Sequence, residues 1–123
     1  MPERIRMSRQ RPWRPEYPDA VIVARPSVWG NPYTVERIGK STWHVQHGSW
    51  LLGTFHTRTG AEARGEAVRA FERMIEHHRA PWTLDMIRRE LAGRDLACWC
   101  PLDQPCHADV LLRLANDSGG SDS

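Results

Sequence analysis

The sequence lacks the long apolar run that a membrane-spanning helix requires, since no stretch approaches about 20 consecutive apolar residues. The beginning of the chain is rich in arginine but lacks the apolar segment that follows the basic residues of a signal peptide. Its arginines are Arg4, Arg6, Arg9, Arg11 and Arg14. We therefore expect a cytoplasmic protein with no membrane partner.

Cysteine is also scarce, with three residues among 123, namely Cys98, Cys100 and Cys106. An odd number confined to one short segment does not suit the disulfide framework of a small secreted scaffold. Metal binding, redox or nucleophilic chemistry, and simple burial in the core are therefore the alternatives for these thiols.

Strong net charge is absent as well, because the formal charge is only +2 and the chain as a whole does not resemble a nucleic-acid-binding protein. Residues 1–18 are locally basic, rich in proline and without apolar periodicity, so we interpret them as a flexible basic arm. This arm is either a solvated tail or a contact for nucleic acid. Residues 19–116 then form the single domain, and residues 117–123 form a disordered tail.

Four short segments predict the strands. Residues 20–24 form a β-branched apolar run, which is typical of a strand buried on both faces. Residues 42–46 and 50–55 flank a turn that contains Gly48, which predicts a β-hairpin. Residues 96–100 predict a second buried strand.

Amphipathic segments predict three helices. Apolar residues recur at three- and four-residue steps over residues 67–75, and this helix should end near His78. Thr83 is the expected N-cap of a second helix, Gly93 is its left-handed stop, and a last helix should begin near Cys106. The element order predicts a small single α/β domain with a short, mostly parallel sheet, helices packed on it and a β-hairpin excursion.

Ligands of open α/β sheets gather at the carboxyl ends of the strands, where the loop after residue 24 and the cysteine segment should meet. We predict that Arg25 and Ser27 bind the anionic part of a nucleotide-like or sugar-phosphate-like small molecule, and that Trp29 and Asn31 contact its ring or sugar. Cys98 and Cys100 are further candidate ligand contacts. The alternative is an ordinary turn whose tryptophan fills the core.

Cysteine–histidine catalysis is the first chemical hypothesis. Cys106 falls at the first turn of a helix, where unpaired N–H groups and the macrodipole favour a thiolate. His107 could act as its base, while Asp109 either orients His107 or favours the helix N-terminus. Transfer or hydrolysis at an electrophilic carbon would suit these residues. An enzyme and a non-catalytic binding protein both fit the sequence.

Zinc binding is the second hypothesis, because Cys98, Cys100, Cys106 and His107 together form a Cys3His ligand set. The expected cofactor is therefore either none or zinc. The spacing differs from common zinc knuckles, which separate paired cysteines by two residues, and adjacent ligands on one ion are sterically awkward. The fourth ligand could instead be a histidine of the hairpin, namely His44, His47 or His56. Such a protein would be a non-catalytic module that contacts nucleic acid or a protein partner.

Three motifs carry a family resemblance. They are Arg-Pro-Ser-Val-Trp-Gly-Asn-Pro-Tyr over residues 25–33, Leu-Ala-Gly-Arg-Asp-Leu-Ala-Cys-Trp-Cys-Pro over 91–101 and Cys-His-Ala-Asp-Val-Leu over 106–111. In combination they resemble the domain-of-unknown-function 4326 family, which is met chiefly in actinobacteria and tailed phages. The resemblance covers about residues 20–116 and implies a small cytosolic domain without an established activity.

Overall fold

The protein has two small sheets and three helices in the computed structural model, which describes residues 2–117. The strands are β1 (Arg4–Arg6), β2 (Val21–Ile22), β3 (Tyr33–Arg37), β4 (Thr42–His47), β5 (Trp50–His56) and β6 (Leu96–Cys98). The helices are α1 (Gly60–Glu76), α2 (Leu84–Leu91) and α3 (His107–Asn116). Most of the predicted C-terminal tail, residues 118–123, lies outside the described residues.

The first sheet is parallel and has the order β1-β6-β2. Its central strand, Leu96–Cys98, is completely buried, because it has a strand on each side and packs into the main apolar core. Phe71 of α1, Ile87 and Leu91 of α2, and Leu111 of α3 are fully buried in the same core. The prediction of a mixed α/β domain with a short parallel sheet is confirmed.

The first strand corrects the interpretation of residues 1–18 as a flexible arm. Residues Arg4–Arg6 pair in parallel register with Leu96–Cys98, and the Met7 amide donates to the Cys98 carbonyl over 2.8 Å. Ile5 and Met7 are buried in the core. This three-residue segment is too short to establish a period by itself, and the strand with which it pairs lies some 90 positions later.

The second sheet is antiparallel and has the order β3-β4-β5. Thr42–His47 and Trp50–His56 form the predicted hairpin, which is thereby confirmed, and Gly48 in its turn has a φ of 62°. Strand β3 (Tyr33–Arg37) pairs with the other side of β4 and is not among the strands that the sequence predicts.

Capping determines the helix boundaries much as the sequence predicts. The Thr83 hydroxyl accepts a hydrogen bond from the Met86 amide at the start of α2, and Gly93 follows that helix with a φ of 75°. Helix α1 ends at Glu76, with His77 as its C-cap, close to the predicted end at His78. Within residues 2–117, no helix has the length and apolar character needed to cross a bilayer.

Candidate functional site

The three cysteines converge at the carboxyl end of the parallel sheet. Strand β6 ends at Cys98, two residues before the predicted end at residue 100, and the chain bends there, so that the Cys98 and Cys100 sulfurs lie 3.8 Å apart. A turn, closed by the Gln104 amide on the Pro101 carbonyl, brings Cys106 back to the same place. All three sulfurs lie within 4.8 Å of one another.

The first turn of α3 holds Cys106, which is its N-cap and is only 1% exposed. Its sulfur makes no side-chain capping hydrogen bond to the helix. The neighbouring sulfurs and burial both raise the pKa of Cys106, and the contribution of the Ala108 amide does not reverse this. The predicted thiolate at Cys106 is therefore not favoured, because the surrounding thiols outweigh the helix N-terminus.

The pKa of Cys98 is lowered, chiefly by its contacts with the sulfurs of Cys100 and Cys106. For Cys100, Cys106 lowers the pKa but Cys98 and burial raise it, and the net direction is upward. The three thiols are thus coupled, because a thiolate at one of them disfavours ionisation of the others. A thiophilic metal ion would replace the shared protons with a shared positive charge.

His107 lies beside the cluster, but its ring is held by contacts with residues outside it. Its Nε2 donates to the Val23 carbonyl over 2.8 Å, and its ring packs edge-on against Phe71. Its Nδ1 lies 3.8 Å from the Cys106 sulfur. Burial lowers the pKa of His107, with a smaller contribution from Arg25, so the imidazole is neutral near pH 7.

Of the predicted Cys3His ligand set, the structure brings the three sulfurs together. Among the described residues, the group with ligand atoms close enough to share one ion comprises Cys98, Cys100 and Cys106, without a histidine. The hairpin histidines are not part of it either. His56 contacts Thr42, and His47 packs against Tyr33.

Asp109 does not perform the orienting role predicted for it. Its carboxylate forms an ion pair with Arg4, with 3.2 Å between Nε and Oδ1. The Arg4 guanidinium also donates to the carbonyls of Leu102 and Gln104, at 2.8 and 3.0 Å. One buried cation thus holds the loop between Cys100 and Cys106 and the first turn of α3.

A cleft of about 270 Å³ opens at the cysteine cluster. All three cysteines and His107 contribute to its wall, and the remaining lining residues come mainly from the loop after β2, from β3 and from α1. These are Ala24, Arg25, Asn31, Tyr33, Thr34, Val35, Arg64, Ala67 and Val68, with Trp99 and Pro105 beside the cysteines. Two arginines and no carboxylate line the described part of the cleft, so it suits an anion.

The two arginines differ in their surroundings. Arg25 is exposed, and one of its Nη atoms donates to the Asn31 carbonyl over 3.0 Å. Arg64 forms a hydrogen bond with the side chain of Gln104, while its buried Nε finds no acceptor within residues 2–117. A buried N–H without an acceptor costs free energy, and an anionic ligand in the cleft would supply one.

The polar side chains of the loop after β2 form hydrogen bonds to nearby backbone groups. The Ser27 hydroxyl accepts from the Trp29 amide, and Trp29 packs in the core with its ring 5.0 Å from that of Trp82. The Asn31 side chain accepts from the Tyr33 amide and donates to the Ala67 carbonyl. Of the four residues predicted there to contact a ligand, Arg25 and Asn31 line the cleft, whereas Ser27 and Trp29 are not among its described lining residues.

Sequence reasoning missed Arg4 and Arg64 as site residues. Arg4 belongs to a segment interpreted as an arm, and Arg64 looks like any charged residue of an amphipathic helix. A signal was present in the Arg-Ile-Arg alternation of residues 4–6, whose single apolar residue faces the core. For Arg64, nothing in the local pattern distinguishes it from its exposed neighbours.

Comparison with known proteins gives a match to a protein-family model over residues 5–117, a range that includes the residues lining the cleft and all three cysteines. Neither the curated proteins nor the solved structures include a match to the chain.

Proposed function

The chain belongs to the family described as "Domain of unknown function (DUF4326)", and on this premise we propose that it is a zinc-binding protein whose metal lies at the wall of an anion-binding cleft. Cys98, Cys100 and Cys106 are the proposed ligands. The proposed second ligand of the protein is a small anionic molecule of the nucleotide-like or sugar-phosphate-like class, bound through Arg25 and Arg64.

The separation of the sulfurs carries the metal proposal. Zinc–thiolate bonds of about 2.3 Å in tetrahedral geometry place two sulfurs about 3.8 Å apart. The Cys98 and Cys100 sulfurs have this separation, and the Cys106 sulfur lies within 4.8 Å of both. Three thiols packed merely as apolar side chains have no need to converge on one point.

Three protein ligands leave one tetrahedral position for water or a substrate, which is the pattern of catalytic rather than structural zinc sites. All three cysteines line the cleft, so the fourth ligand would come from there. When bound, zinc acts as a Lewis acid and lowers the pKa of bound water. This supports a hydrolytic or transfer function more than a purely structural one.

The ligand class follows from the rest of the cleft. Its volume of about 270 Å³ is at the low end for small-molecule sites. Arg25 and Arg64 supply charge, while Tyr33 and Val68 supply an aromatic and apolar wall. A phosphate with a small apolar or ring substituent matches this combination.

Cysteine–histidine catalysis without metal receives less support. Cys106 is buried and its neighbours raise its pKa, while His107 donates Nε2–H to a backbone carbonyl. Neither residue has the exposed, activated character of a nucleophile and its base.

The direct test is metal analysis of untagged protein purified under reducing conditions, followed by replacement of zinc with Co²⁺. We expect about one zinc per chain and a sulfur-to-cobalt charge-transfer band, and Cys98→Ser, Cys100→Ser or Cys106→Ser should each lose both. His107→Gln is the matched control and should retain the metal. Protein without metal that also fails to take up Co²⁺ would overturn the metal proposal.

The anion is tested separately, by titration of the zinc-loaded protein with inorganic phosphate and adenosine monophosphate. Arg64→Gln and Arg25→Gln should weaken binding about tenfold or more, since charge-assisted hydrogen bonds are lost. Arg88→Gln, on the exposed face of α2, is the control. Equal binding by all variants would exclude the cleft as the anion site while leaving the metal result intact.

A further inference from the structure

A second concave surface lies beside the cleft, formed by the segment that continues from β1. Its volume is about 660 Å³, and we call it the arginine groove. Its lining residues are Arg6, Met7, Ser8, Arg9, Gln10, Arg11 and Trp99. The groove shares Trp99 with the cleft and none of the cysteines.

The β1–β6 pairing builds this groove. Arg6 lies opposite Cys98 in the parallel register, and the Met7 amide bonds to the Cys98 carbonyl, so residues 8–11 continue past the next residue, Trp99. Because Cys98 and Cys100 turn toward each other, Trp99 between them lies at the surface and is 45% exposed. The pairing thus places the basic segment of residues 6–11 alongside the exposed indole of Trp99.

Positive charge dominates the groove. Arg6, Arg9 and Arg11 are exposed, and none of the described residues that line the groove is acidic. The Arg9 guanidinium lies over one face of the Trp99 ring at 5.4 Å from its centroid, a cation–π arrangement, and the 45% exposed side chain still offers indole surface to a base.

We propose that the arginine groove binds single-stranded nucleic acid, with phosphates at the three arginines and a base stacked on Trp99. Phosphate contacts combined with base stacking on an aromatic side chain are how proteins bind single strands without sequence preference. In a duplex the bases are stacked internally and cannot reach the indole, and a lipid headgroup offers no ring. This proposal does not depend on the metal or on the ligand of the cleft.

The test is fluorescence anisotropy of a fluorescein-labelled dT12 oligonucleotide at several NaCl concentrations. The logarithm of the association constant should fall linearly with the logarithm of salt, by about 0.7 per phosphate neutralised. Arg9→Ala and Arg11→Ala should each reduce this slope by about one such increment. Trp99→Ala should weaken binding about tenfold with little change in slope, and Trp99→Phe should restore most of it.

Two exposed residues elsewhere provide matched controls. Trp50→Ala removes a 79% exposed indole from the β-hairpin, and Arg79→Ala removes an exposed arginine after α1, and neither should change the affinity. The zinc content of the Arg9 and Arg11 variants, measured in parallel, should equal that of the unmodified protein, which separates this test from that of the metal centre.

Several results would overturn the proposal. These are no binding of dT12 at 50 mM NaCl, equal affinity for a 12-base-pair duplex, or an equal loss in the Trp50 and Trp99 variants. Binding to phosphatidylglycerol vesicles in the absence of dT12 binding would identify a lipid surface instead.

Discussion

Arg4 in the first strand and Asp109 in the last helix form an ion pair, with 3.2 Å between Nε and Oδ1. The Arg4 side chain is 7% exposed and that of Asp109 is 54% exposed. The buried partner is therefore the Arg4 guanidinium, which also donates to two carbonyls of the loop that precedes Cys106. The beginning of the chain thus holds the geometry of the cysteines near its end.

Replacement of Arg4 should be much more harmful than replacement of Asp109. Arg4→Met leaves the carbonyls of Leu102 and Gln104 without their donor, and we expect the free energy of unfolding to fall by about 1–3 kcal/mol. Asp109→Asn keeps those hydrogen bonds and loses one half-exposed ion pair, for about 1 kcal/mol or less. Urea denaturation of both variants measures the difference, and equal losses would contradict this account of Arg4.

Arg4→Met should also weaken metal binding, because the loop that positions Cys106 is then less well held. Competition for zinc with a chromophoric chelator measures this affinity. The Asp109→Asn variant again serves as the control, and unchanged zinc affinity in Arg4→Met would mean that the loop keeps its geometry without the guanidinium.

Metal removal should destabilise the protein through mass action. A ligand that binds only the folded state at a hundred times its Kd contributes about 2.7 kcal/mol. We therefore expect EDTA with a non-thiol reductant to lower the free energy of unfolding by about 2–3 kcal/mol. Cys98→Ser should be less stable without chelator and insensitive to it, whereas equal sensitivity of both proteins to EDTA would contradict the proposed ligands.

Asn31→Ala should reduce stability rather than ligand recognition alone. The Asn31 amide is buried and forms hydrogen bonds with the Tyr33 amide and the Ala67 carbonyl, so its loss should cost about 1–3 kcal/mol. Asn116→Ala is the control, because this exposed residue also forms two hydrogen bonds to backbone groups, those of Gly93 and Leu112. Weaker phosphate binding at unchanged stability would restore Asn31 as a ligand contact.

Gly30→Ala should disturb the cleft through a steric clash. A Cβ at Gly30 would lie 2.8 Å from Arg25 Cγ and 3.1 Å from the Ser27 carbonyl oxygen, so the backbone of the loop must shift. We expect a loss of about 1–3 kcal/mol together with weaker phosphate binding, since Arg25 moves. At Gly39 a Cβ would meet only Thr42 at 3.4 Å, and Gly39→Ala should leave both properties nearly unchanged.

Much of the local structure could be predicted because its causes are local. The Thr83 cap and the Gly93 stop determine α2, and the turn with Gly48 determines the hairpin. In each case the residues that decide the outcome are close in sequence.

Only the tertiary structure decided the roles of Arg4, His107 and Asp109. By sequence, Arg4 belongs to a flexible basic arm, and His107 and Asp109 belong with Cys106 to a candidate catalytic set. In the fold, Asp109 pairs with Arg4 and His107 donates to the carbonyl of Val23. The physical reason is that sequence spacing determines which side chains share a face, whereas strand pairing between residues 90 positions apart determines which buried polar group meets which partner.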